Sequence, residues 1–600
     1  MASFFYFWHM AYKSLQQCVS DLDKKGELIR ISEQVNPDLE MASIHLEEFA
    51  KGGKAIIFEN IKGSKFRAAS NLFGTLERSK FMFRENLEIV KKLIDLKTNP
   101  ISALKNLADA LFTALNGIYA LPKKVRFKGF NEIQIEDLPQ IKCWKEDGGA
   151  FITLPQVYSE DPENPGIMNS NLGMYRVQLS GNDYVQNKEV GMHYQIHRGI
   201  GVHQKKANKK GEPLKVSIFI GGPPSHTFAA VMPLPEGMSE LSFAGVLGKR
   251  RFRYAKKDGY TISADADFVI CGELHENDTK PEGPFGDHLG YYSLKHDFPV
   301  LKVHKVFAKE NAICPFTVVG RPPQEDSQFG ALIHEISGKA IEKEIPGLKA
   351  VNAVDAAGVH PLLLAIGSER YTPYNPTKQP QELLTIANHI LGTGQMSLAK
   401  YVFICDEENA LNVNDEKEYF THFLERVNWK RDMHFQTKTT IDTLDYSGDG
   451  LNEGSKVVVA IAGEVKRKLV AILSNIDLPN GFSNPKLVSN GNLVMEGKGD
   501  MNDLIASLEK QNVEGIALIT LVDDSTFVSE DFSNWLWVTF TRSNPANDIY
   551  GLHSENKNKH FSSKKFHFSL RNDLIHQGNI VISFVFLNCY FLKLKNTFKE

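Results

Sequence analysis

Between residues 168 and 290 the chain gathers side chains that could do chemistry. Asn171-Leu172-Gly173-Met174-Tyr175-Arg176 comes first. Met192-His193-Tyr194-Gln195-Ile196-His197-Arg198-Gly199 follows, then Ser239-Glu240, then Pro281-Glu282-Gly283-Pro284-Phe285-Gly286-Asp287-His288. An amide oxygen (Asn171), imidazoles (His193, His197) and a carboxylate (Glu240) form a donor set that suits Mn2+ or Mg2+ better than a soft metal. Arg176 and Arg198 suit a phosphate or a carboxylate, because the guanidinium fork matches both. Glu282 and Asp287 are separated by a Gly-Pro turn, so both can face one cavity. Two carboxylates in one pocket push their pKa values apart, which is how one site holds an acid and a base. Taken singly, an Asn, His or Glu is more often structural than a ligand, and a carboxylate in a Pro/Gly-rich turn is more often solvated. The residue types alone therefore reach as far as a β-rich domain with a candidate metal and anion site.

The elements that must carry these residues are legible in outline. Apolar spacing predicts helices over 12–31, 37–50, 76–96 and 101–115, and a strand over 54–61. Together these make an N-terminal α/β domain, 10–125. From there to 326 the pattern changes to short apolar strands, such as 215–222, 267–274 and 299–307, punctuated by GGPP, PLPEG and PEGPFGD. That pattern suggests a β-barrel or sandwich. A helix over 327–343 leads into strands at 361–367, 400–406, 456–463 and 514–522. Helices at 379–392, 416–425 and 501–511 separate them, which predicts βαβ units and a mostly parallel sheet in a C-terminal α/β domain, 327–556. After residue 556 the chain turns abruptly rich in Lys, Phe and Asn, and 557–600 reads as an atypical, poorly ordered tail.

Composition narrows the class. At 600 residues two or three domains are expected. A net charge of −3 gives no global pull toward nucleic acid or anionic membrane. The run Lys205-Lys206 with Lys209-Lys210 reads as solvated loop charge. The six cysteines lie far apart with no C-x-x-C pair, which favours reduced, scattered thiols in a cytoplasmic protein. Residues 1–9 lack the features of a signal peptide, and Met10 reads as the true start, because Met10-Ala11-Tyr12 leads straight into a helical pattern. The apolar run 580–592 is shorter than the roughly 20 residues a membrane span needs.

NLGMYRVQ (171–178), MHYQIHRG (192–199), MSELSFAGVLGKRR (238–251) and above all PEGPFGDHLGYY (281–292) resemble the UbiD family of reversible decarboxylases, in the family's order and spacing. The resemblance runs from about residue 12 to 552 and includes NWLWVTFTRSNPANDIYG (534–551). It implies an N-terminal α/β domain, a central split β-barrel that binds flavin (126–326), and a C-terminal α/β domain used in oligomerisation. It implies that Asn171, His193 and Glu240 hold Mn2+ (or Mg2+) against the phosphate of prenylated FMN, with K+ as a further ion. Other members carry a different residue at the position of His193. Met174, Tyr175, Arg176, His193, Tyr194, Gln195, Arg198 and Gly199 align with flavin-contacting segments. Arg176, Glu282 and Asp287 align with the family's catalytic set.

The implied activity is non-oxidative, reversible decarboxylation of an aromatic or α,β-unsaturated acid, with quinone biosynthesis as a context. A carboxylase of the same family and a flavin-binding protein or FMN oxidoreductase on a split barrel are the alternatives. The implied partners are the small acid, a flavin prenyltransferase supplying the cofactor, and further copies of the chain in a dimer or hexamer. Neither nucleic acid nor an integral membrane span is expected. A cytoplasmic location follows, peripheral to the membrane if the substrate is polyprenylated.

Overall fold

The protein is described from a computed structural model covering residues 11–98, 117–194, 199–234, 238–371, 374, 378–407, 411–450, 452–513, 515–557, 560–562 and 565–569. It is a mixed α/β chain that divides into two compact units: residues 1–287 with 291–340, and residues 341–600 with the tripeptide 288–290.

In the first unit the opening helix is shorter than expected. Ser14 caps Leu15–Lys25 by accepting from the Gln17 N–H, and Gly26, at φ 78°, closes it by donating to the Asp23 and Leu22 carbonyls. A left-handed glycine of this kind is a strong helix stop, and the residues beyond it form the strand Leu28–Val35 instead. That strand joins Ala55–Ile61, Arg67–Ser70 and Ile313–Pro315 in a four-stranded sheet. The helix expected over 76–96 is two helices, Leu76–Met82 and Leu87–Thr98. The one expected over 101–115 lies outside the described residues.

The chemistry-bearing segments sit on a nine-stranded sheet. Its order is Phe151–Ile152, Val177–Gln178, Glu189–Met192, His296–Ala308, Phe268–Glu282, Leu214–Ile220, Pro155–Glu160 and Ser170–Gly173, with Asn131–Ile133 added beside His296–Ala308. Every neighbour pair is antiparallel. The path runs from edge to edge, and no closed barrel forms among the described residues. Alternate side chains point to opposite faces. Ile218, Ile220, Phe268 and Ile270 enter one apolar core, while Phe219, Val269 and Cys271 enter another. Burial on both faces is why these strands read as continuous apolar runs.

The second unit corrects the expected single, mostly parallel sheet. It contains two five-stranded sheets. In the first, Leu362–Gly367, Tyr401–Asp406 and Gly454–Ile461 are parallel neighbours, but Leu348–Ala353 and Met433–Thr439 flank them antiparallel. Met433–Thr439 is joined through residues 440–453 to its own neighbour, Gly454–Ile461, and pairs with it antiparallel. Leu518–Val522 belongs to the second sheet, between Asn492–Gly497 and Lys565–Ser569. Part of the segment after 556 is therefore a strand. The five described cysteines are free and buried. No described helix is long and apolar enough to cross a membrane.

Candidate active site

Glu282 is the last residue of the Phe268–Glu282 strand, opposite His296 at the start of the returning strand. The connecting loop carries Asp287. Arg176 lies one residue before Val177–Gln178, which pairs with Glu189–Met192. The sheet thus brings Arg176 to two acids that follow it by more than a hundred positions in the chain.

Their geometry is a fork. Arg176 Nε donates to Glu282 Oε1 at 2.8 Å and Nη2 donates to Oε2 at 2.8 Å. Nη1 donates to Asp287 Oδ2. Nη2 also donates to Ser293 Oγ at 3.0 Å, and the guanidinium carbon lies 4.6 Å from the centre of the Phe285 ring. Glu282 is 0% exposed and Asp287 6%. Burial pushes the Glu282 carboxyl up, but the Arg176 charge and its hydrogen bonds more than offset this, and the net shift is downward. Glu282 is therefore ionised at neutral pH despite being out of water.

The loop turns at the Gly283 of the motif and is held by side chains to which the sequence assigned no role. Gly283 has φ +84°, a conformation that L side chains rarely adopt, and so allows the chain to turn immediately after Glu282. Its N–H donates to Gln178 Oε1 at 2.9 Å, and Asn182 Nδ2 donates to the carbonyls of Pro281 and Gly283 at 3.0 and 2.8 Å. Asp147 accepts from the N–H of Gly286 at 2.8 Å and of Trp144 at 2.9 Å, and burial raises it to about 6. Ser293, buried, accepts from both Arg176 and the Phe285 N–H, the latter at 3.1 Å. Ser293→Ala should leave two buried donors without their acceptor, at a cost of about 1–3 kcal/mol. Thermal melting reads that cost, and an unchanged midpoint would remove Ser293 from the site.

Asn171 and Glu240 meet at another part of the sheet. Asn171 pairs with Ser159 in the register of the edge strand. Glu240 opens the helix Glu240–Leu247, and its carboxylate accepts from the N–H of Leu172, next to Asn171. Burial pushes Glu240 up, with the backbone N–H groups only partly offsetting it. The Asn171 Nδ2 is buried with no hydrogen-bond partner. A Cβ on Gly199 would come within 2.0 Å of Asn171 Oδ1, which puts the start of the Gly199–Lys210 helix against the same amide. The Asn171 amide oxygen and the incompletely compensated Glu240 carboxylate are oxygen donors of the kind a hard divalent cation takes, and a cation there would offset the desolvation of Glu240.

His193 follows the Glu189–Met192 strand, its N–H donating to the Arg176 carbonyl at 3.3 Å and its ring 4.2 Å from that of Phe298. Burial, and then the Arg176 charge, push its imidazole down to about 4, so it is neutral at pH 7. That is the form a metal ligand requires. Its ionisable neighbours are Arg176, Glu282, Asp287 and His296, so it sits beside the Arg176–Glu282–Asp287 cluster. Tyr175 and Tyr194 lie side by side at 6.1 Å, and the Met174 N–H donates to the Ala230 carbonyl at 2.9 Å. Gln195, His197 and Arg198 lie outside the described residues.

Three family profiles match the chain. They are the N-terminal domain of 3-octaprenyl-4-hydroxybenzoate carboxy-lyase over residues 19–97, its Rift-related domain over 120–322 and its C-terminal domain over 327–461. A Chlamydia pneumoniae protein named as a subunit of 4-hydroxybenzoate decarboxylase is 36% identical over 559 residues, covering 90% of each chain. The closed form of vanillic acid decarboxylase from Sedimentibacter hydroxybenzoicus superposes with a TM-score of 0.64 at 22% identity, over 78% of this chain and 96% of that one. The UbiD-class enzyme HmfF from Pelotomaculum thermopropionicum, solved with FMN, gives a TM-score of 0.59 at 21% identity, over 78% and 97%. The folds agree, the three profiles follow one another along the chain in order, and the sequence similarity spans nearly its whole length: the chain belongs to the UbiD family of carboxy-lyases.

Proposed function

We propose that the protein decarboxylates an aromatic or α,β-unsaturated carboxylic acid using prenylated FMN and a divalent metal, with Arg176, Glu282 and Asp287 as its catalytic residues. The observation that carries this reading is the guanidinium of Arg176 forked across a fully buried Glu282, with Asp287 on its third nitrogen. Such a pair costs desolvation that a purely structural site could avoid with apolar side chains.

Breaking a C–CO2⁻ bond at an sp² carbon needs an electron sink that no side chain offers. Prenylated FMN, when bound, supplies it. The chain supplies charge, position and protons. Arg176 binds the substrate carboxylate with the same fork that holds Glu282. As the substrate draws on that fork, the positive charge that keeps Glu282 ionised is shared, while its burial remains, so its proton affinity rises. Glu282 then takes up a proton, with Asp287 as the relay, and delivers it to the carbon that has lost CO2. Asn171, His193 and Glu240 are the residues that would hold Mn2+ or Mg2+, which would neutralise phosphate charge of a bound flavin. Met174, Tyr175, Tyr194 and Gly199, with Gln195 and Arg198, would contact the flavin. A 4-hydroxybenzoate bearing a polyprenyl tail, as in quinone synthesis, is the first substrate to test, which the family's 3-octaprenyl-4-hydroxybenzoate carboxy-lyase description supports, and unprenylated 4-hydroxybenzoate, in the name of the chlamydial relative, is the second.

The test is co-expression with a flavin prenyltransferase, absorbance and mass of the cofactor that co-purifies, and a screen of acids for CO2 release. Unmodified FMN as the active cofactor, or NADH oxidation without CO2 release, overturns the reading. In the same preparations, Asn171→Ala and Glu240→Ala should lose the metal and retain flavin weakly. Elemental analysis and flavin absorbance check this, and a variant with full metal and cofactor removes that residue from the ligand set.

A further inference from the structure

The second unit holds a cluster that the proposed decarboxylation does not use. His288, His360 and Asp442 each direct one ligand atom into a common space, and those atoms all lie within 4.8 Å of one another. We propose that these residues bind a divalent transition-metal ion of the zinc class, at a site separate from Asn171, His193 and Glu240.

The donor set argues for this class of ion. Two imidazoles and one carboxylate bind zinc and its neighbours in the first transition row, whereas hard ions such as Mg2+ and Ca2+ prefer oxygen alone. Three protein ligands also leave at least one coordination position for water or another small ligand. Both histidines are half-buried, so that position has access to solvent, while Asp442 is buried.

The backbone holds the three ligands from independent directions. Asp442 Oδ1 accepts from the Leu444 N–H at 3.0 Å, which fixes the carboxylate plane and turns Oδ2 toward His360 Nδ1. The His360 loop turns through Gly358 at φ 81° and Val359 at φ 68°. A β-branched residue in the left-handed region is costly, and such positions cluster at functional sites. His288 belongs to a tripeptide anchored in this unit by the Trp537 indole N–H, which donates to the Leu289 carbonyl at 2.8 Å. The His288 and His360 rings stand edge to face, centroids 6.2 Å apart, rather than stacked. The simpler alternative is a His360–Asp442 ion pair with His288 as a neighbour. It leaves the placement of the second imidazole and the Val359 backbone unexplained.

Co2+ reports the difference, because a site rich in nitrogen with few ligands absorbs visible light far more strongly than an octahedral oxygen-rich site. The full chain is stripped with a chelator and titrated with Co2+, then with Zn2+ in competition. One equivalent should give the strong band, in the wild type and in Glu240→Ala alike. His288→Ala should lose it and bind Zn2+ more than about tenfold more weakly. That variant leaves the His360–Asp442 pair in place, so it reports on the cation rather than on folding; His360→Asn should behave in the same way. Absence of a strong band in the wild type, or an unchanged band and affinity in His288→Ala and His360→Asn, overturns the proposal.

Discussion

Glu282→Gln should lower CO2 release by about 10²–10⁴, the usual worth of a positioned proton donor, while flavin and metal remain bound. The substitution keeps the side chain's size. It also keeps one oxygen to accept from the Arg176 fork, and Asp287 still pairs with Nη1. What it removes is the ability to take up and release a proton. Because the amide cannot ionise, the variant's residual rate should show no dependence on the titration of this group. Single-turnover assays on holoenzyme of equal flavin content separate the chemical step from cofactor loss. A rate within a few-fold of wild type would remove Glu282 from the mechanism and leave the buried ion pair as architecture.

The site was more legible than the fold that builds it. Arg176, Glu282 and Asp287 could be grouped because the resemblance to the UbiD family implied it; the residue types alone reached only a candidate metal and anion site. The residues that position them could not. Ser293, Gln178, Asn182 and Asp147 act through a hydroxyl, two amides and a carboxylate aimed at backbone groups of a loop. Nothing in the local sequence distinguishes such a side chain from a solvated one. The downward shift of His193 likewise depends on burial by the sheet and on the Arg176 charge, both of which are tertiary.

In the fold, apolar runs located the strands but not their direction. Leu362–Gly367 and Tyr401–Asp406 are parallel neighbours as expected. Met433–Thr439, with its polar outer positions, carries no apolar run to mark it, and it turns one edge of that sheet antiparallel. The helix expected across 12–31 ends at Gly26, a stop that apolar spacing passes over. Leu22 and Leu28 both fit the apolar spacing on either side of it, although only the first is in a helix.

Arg176→Leu should show the second large effect, because it leaves two buried carboxylates without their shared cation. Breaking one partner of a buried pair costs about 3–5 kcal/mol. The place to read it is amide exchange at Gly283, Phe285 and Gly286, whose N–H groups are held by Gln178, Ser293 and Asp147. At pH 7 their protection factors should fall by about 10²–10⁴-fold if they open with the loop. The pH dependence carries the sign. In the wild type the folded Glu282 carboxyl sits below its ordinary value, so its contribution is present above about pH 4.3 and fades as pH falls through the depressed folded value. In Arg176→Leu, burial and the nearby Asp287 charge raise the same group, so its cost is greatest at neutral pH and shrinks on acidification. The gap between variant and wild type should therefore narrow steadily from pH 7 toward pH 4. Arg176→Lys, which keeps the charge but not the planar fork, should fall between the two. A gap of the same size at both pH values would mean that the loss comes from packing against Phe285 rather than from charge, and the electrostatic account of the site would fail.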